Sequence, residues 1–70
     1  MQLKPLAQFT APLGGQQIEL HEIDYETGGM PLLRLRIREG KRFTVFDIDA
    51  RSARTWAEAM GAWAAAQPQA

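Results

Sequence analysis

The chain has seventy residues, with eight basic and eight acidic side chains, one histidine and no cysteine. Disulfides, thiolate metal sites and histidine clusters are excluded, and a dedicated nucleic-acid binder would carry a basic excess. A chain this short forms one domain, residues 1–70, burying only about 60% of its unfolded surface, so it needs very good packing or a partner subunit.

Zero net charge removes the self-repulsion that keeps copies apart, which points towards self-association. The opening, MQLKPLAQFT, has one lysine and no apolar run, unlike a signal peptide, and no stretch of about 18 apolar residues suggests a membrane span. A cytoplasmic location without membrane association is the expectation.

Residues 1–5 and 68–70 read as loose ends. Leu6–Ala11 is bracketed by Pro5 and Pro12 and is at best an edge strand, because proline lacks the N–H that a ladder needs. A tight turn at Gly14-Gly15 sets Phe9 opposite Leu20 and Ala11 opposite Ile18. Gln17–Glu26 is a strand with a break in phase: Ile18 and Leu20 share one face, Ile23 and Tyr25 the other. A bulge near His21–Glu22 would bring all four to one side.

A second turn, Thr27-Gly28-Gly29-Met30, leads into Pro31–Arg38, the most regular stretch of the chain. There Leu33, Leu35 and Ile37 alternate with Arg34, Arg36 and Arg38, the period-two signature of a strand with one buried and one wet face. The spacing pairs Tyr25 with Leu33 and Ile23 with Leu35. A turn at Gly40 then pairs Ile37 with Thr44, Leu35 with Phe46 and Leu33 with Ile48. The opposite face pairs Arg34 with Asp47, Arg36 with Val45 and Arg38 with Phe43.

Asp49 is a helix N-cap, and Ser52 an alternative. The helix runs from Ala50 to about Gln67, with Ala53, Trp56, Met60 and Trp63 on one stripe that reads as core against the sheet. Gly61 would allow a second subunit's backbone to approach closely. Arg51 and Arg54 near the helix start oppose its dipole and hint at a binding edge. The expected fold is α+β: a four-stranded, at least three-stranded, antiparallel meander with one C-terminal helix packed on its apolar face.

For chemistry the inventory is thin. Ser52 is placed for capping, the glycine pairs precede no helix, and arginines stand between the carboxylates. The chain reads as no enzyme, with no catalytic residues, no cofactor and no metal. The wet face of the sheet is the candidate site: Leu32, Arg34, Arg36, Arg38, Phe43 and Val45. Its plainest account is a ladder of cross-strand charges, Asp24–Arg34–Asp47, Glu22–Arg36 and Glu19 near Arg38.

An apolar island ringed by charge also suits a protein interface, and in twofold symmetry it would be self-complementary. Arginines around an exposed phenylalanine can instead hold single-stranded nucleic acid. The expected function is therefore that of a small bacterial-type interaction module or accessory subunit. Its partner is a protein or a second copy as a homodimer, with single-stranded nucleic acid binding as the alternative.

Overall fold

The structure, a computed structural model, describes residues 1–25 and 28–68. Its elements are β1 (Gln2–Thr10), β2 (Gln17–Asp24), β3 (Leu32–Glu39), β4 (Arg42–Ile48) and α1 (Ala50–Ala65). The strands form one antiparallel sheet in the order β1-β2-β3-β4. This is the α+β meander with a C-terminal helix to which the hydrophobic patterning leads.

The β3–β4 hairpin has the expected register. Leu33 faces Ile48, Leu35 faces Phe46 and Ile37 faces Thr44, with Arg34, Arg36 and Arg38 facing Asp47, Val45 and Phe43. Glu39 and Arg42 close a two-residue loop in which Gly40 has φ 60° and Lys41 keeps a negative φ. That combination is a type II′ turn, whose twist matches that of the strands.

The β1–β2 half departs from the sequence reading in three ways. First, β1 begins at Gln2, so the segment read as a loose end belongs to the sheet. Second, Phe9 faces Ile18 and Ala7 faces Leu20, two residues away from the expected pairing. The connection is wider than a two-residue turn: the Ala11 N–H donates to the Gln16 carbonyl and the Gly15 N–H to the Ala11 carbonyl, both at 2.8 Å. Gly15 takes φ 72° there, which favours glycine.

Third, the bulge lies in β1. Strand β2 runs without a slip against β3, from Gln17 opposite Arg38 to Ile23 opposite Leu32, whereas its register against β1 shifts between Pro5 and Ala7. Proline has no N–H to lose, so an edge strand can drop a residue from the ladder beside it at low cost. Ile23 therefore keeps simple alternation and lies on the face opposite Ile18 and Leu20, between Leu3 and Leu32. The expected pairs Ile23–Leu35 and Tyr25–Leu33 do not form. The turn placed at 27–30 falls partly outside the described residues, at Thr27, and so does the end at 69–70.

Helix α1 starts on its expected cap. Asp49 is extended, at φ −82° and ψ 171°, and its carboxylate accepts from the Ser52 N–H at 3.4 Å. Hydrogen bonding to Ser52 holds that carboxyl below the ordinary aspartate value. From there the helix contacts the sheet chiefly at β3, and the Trp56 ring lies 5.8 Å from that of Phe46 on β4.

Contact fades along the apolar stripe. Ala53 is half-buried, Trp56 is 41% exposed, Met60 63% and Trp63 69%. Trp63, read from its spacing as core, is not core within a single chain. Among the described residues Ile23, at 0% exposure, is the one buried hydrophobic side chain. The chain is a slab of 46 × 30 × 15 Å with a radius of gyration of 14.1 Å. A compact chain of this length would measure about 11 Å.

Candidate functional site

Each strand places alternate residues on opposite sides of the sheet, so one ladder generates two surfaces. On the outer face the six singled-out residues stand together. Arg34, Arg36 and Arg38 come from β3, Phe43 and Val45 face them from β4, and Leu32 sits at the β2 side opposite Ile23. Phe43 is 51% exposed and Val45 nearly as much, while Leu32 is half-buried.

The arginines of this face are held within the chain. Arg34 grips Asp47 with two parallel hydrogen bonds, Nε to Oδ1 at 2.8 Å and Nη2 to Oδ2 at 3.1 Å. That hydrogen bonding holds the Asp47 carboxyl below the ordinary aspartate value and raises the Arg34 guanidinium. Arg36 Nη1 donates to Glu19 Oε1 at 3.3 Å, and its guanidinium lies 4.6 Å from the centroid of Phe43. Arg38 Nε donates to the Gly40 carbonyl at 3.0 Å, with its guanidinium 5.9 Å from the same ring.

Of the expected ladder only the Arg34–Asp47 rung forms as read: His21 rather than Asp24 stands opposite Arg34, and Asp24 lies opposite Gln2. Glu19 serves Arg36 rather than Arg38, because it stands directly opposite Arg36. Glu22 points to the other side and lines a hollow with Leu33 and Ala50. His21 faces Arg34 and Pro5 across the strands, beside the bulge rather than within one.

The inner face is different in kind. Phe9 of β1, Ile18 and Leu20 of β2, Leu33, Leu35 and Ile37 of β3 and Ile48 of β4 form the floor of a groove of about 410 Å³. Ala53, Trp56, Ala57 and Met60 of α1 form its wall. No charged or hydrogen-bonding group other than the Trp56 indole belongs to this lining. Contiguous open apolar surface of this extent is uncommon on soluble monomers, which makes this groove a second candidate site beside the outer face. The sequence reading gave these residues to a closed core. Periodicity shows which side of an element is apolar, and it is silent on what covers that side.

The two faces define a class: a single-sheet meander with a charge-laddered back and an open apolar front partly roofed by one helix. Residues 1–66 match the family of unknown function DUF6967, and the chain belongs to that family. No curated protein and no solved structure matches it. No helix among the described residues is long and apolar enough to cross a membrane.

Proposed function

We propose that this protein is a protein–protein interaction module, an accessory subunit whose working surface is the inner face of the sheet with the stripe of α1. The observation that carries this reading is the apolar groove from Phe9 to Met60, which one chain leaves open. Burial of apolar surface is the main favourable term in folding and association, so a partner that covers this face gains free energy. The outer face is the weaker candidate for protein or for single-stranded nucleic acid. Its arginines already hold Asp47, Glu19 and the Gly40 carbonyl, and Arg36 and Arg38 stand over the Phe43 ring.

Hydroxyl-radical footprinting tests this reading directly. In extract of expressing cells, Met60 and Trp63 are expected to be labelled several-fold less than their exposure of 63% and 69% in the lone chain would allow. Phe43, at 51%, should label as its exposure dictates. Free labelling of Met60 and Trp63 together with protection of Phe43 would move the interface to the outer face.

A further inference from the structure

The inner-face reading leaves open what covers the groove. Resting on that reading, we infer that the occupant is a second copy of the same chain, in a twofold dimer where each α1 lies with its second half on the partner's sheet.

Area is the first argument. The chain exposes 5828 Å², whereas a compact protein of 7.8 kDa exposes about 4,400 Å². The excess is about 1,400 Å² per chain, or about 2,800 Å² for a pair. Obligate homodimers bury roughly 2,000–5,000 Å² in total, and their interfaces resemble a domain core cut in half. One lone chain therefore carries the surplus that a stable dimer removes.

Complementarity is the second argument. The chain has two unsatisfied apolar surfaces, each the natural partner of the other. Phe9 and Ile18, on the β1–β2 side of the groove, lie on the opposite half of the sheet from β3 and β4, which α1 contacts. Trp63 lies one turn beyond Met60, outside the lining of the groove, and is 69% exposed. The second half of the helix stripe and the β1–β2 half of the sheet face, both left open by one chain, satisfy each other when two copies are related by a twofold axis, because the same patch then meets itself.

Charge is the third. Net charge is zero, and the charged residues of α1 (Arg51, Arg54 and Glu58) fall on the side away from the stripe, so copies meet without like-charge contact.

The test is the mass of the purified full-length chain by light scattering between about 1 and 100 µM, for wild type and two variants. Wild type should have twice the chain mass of 7.8 kDa. Trp63→Glu, at a position 69% exposed in one chain, should weaken the dimer at least about a hundredfold. Phe43→Glu, on the outer face, should leave it intact. A wild-type monomer at the highest concentration, or a mass above the dimer, would overturn the inference. So would a Trp63→Glu variant that dissociates on dilution no sooner than wild type.

Footprinting separates this failure from that of the underlying reading. Met60 and Trp63 protected in extract but open after purification to a monomer would keep the inner face and assign it to a different protein. Labelling in both would remove the inner face as well.

Discussion

Leu35→Asp is expected to abolish the folded protein at micromolar concentration, with loss of both the cooperative thermal transition and the dimer mass. Leu35 stands at the centre of the inner face, opposite Leu20 on one side and Phe46 on the other, on the floor of the groove. In the dimer this position is roofed, and a carboxylate there must either lose its hydration or keep the roof off. An unpaired buried charge costs several kcal/mol, comparable to the whole stability of a small domain of about 5 kcal/mol. Arg36→Ala, one residue along and facing the other way, should change the thermal midpoint by only a few degrees. Circular dichroism during heating separates the two. A Leu35→Asp protein that melts like wild type would show that water reaches this face in the native state.

Ile23→Ala is expected to cost about 2–5 kcal/mol, the range for large-to-small changes at buried aliphatic positions. Ile23 is fully buried on the outer face, between Leu3 and Leu32. Its loss should therefore lower the thermal midpoint by at least about 10 °C, while the protein that remains folded well below that midpoint keeps the dimer mass. Chemical denaturation and light scattering on one preparation check both halves. A change under about 0.5 kcal/mol would mean that Ile23 is not packed as described, and a monomer would place the interface on its side of the sheet.

These two residues also show where the sequence was legible. Strand β3 alternates without fault and is followed by a turn with glycine at its first central position. Only one register of β3 on β4 then gives apolar-to-apolar pairs on one face and Arg34–Asp47 on the other. Leu35 was therefore assignable at once, and so was Asp49, whose side chain and position before an alanine-rich run admit little but a cap.

Ile23 was misplaced for a specific reason. A break of phase between paired strands can be absorbed by either strand, and hydrophobicity alone places the extra residue in the strand that shows the break. Here β1 absorbs it beside Pro5, and Ile23 stays in phase to build a small outer cluster. Pro5 was the available signal, since a proline in an edge strand is at home next to a bulge.

The stripe Ala53, Trp56, Met60, Trp63 was legible as an apolar helix face, and its destination was not. A stripe that covers its own sheet and one that covers a neighbour's have the same spacing. What separates them is geometry: contact that fades from half-buried Ala53 to Trp63 at 69% exposure. The inner face escapes notice as a candidate site for the same reason. Phe43, Val45 and the arginines drew notice because they break an otherwise charged face, while the larger apolar surface passed as ordinary core.

The central claim is that one chain does not complete its own fold. Thermal unfolding of the wild type as a function of protein concentration tests it most directly. If folding and pairing are one equilibrium, the midpoint rises with concentration, by roughly 5–10 °C over a hundredfold range for a dimer of this size. A cooperative transition whose midpoint stays fixed from 1 to 100 µM, about the range used for mass, would contradict it, because a chain that melts alone has closed its own core.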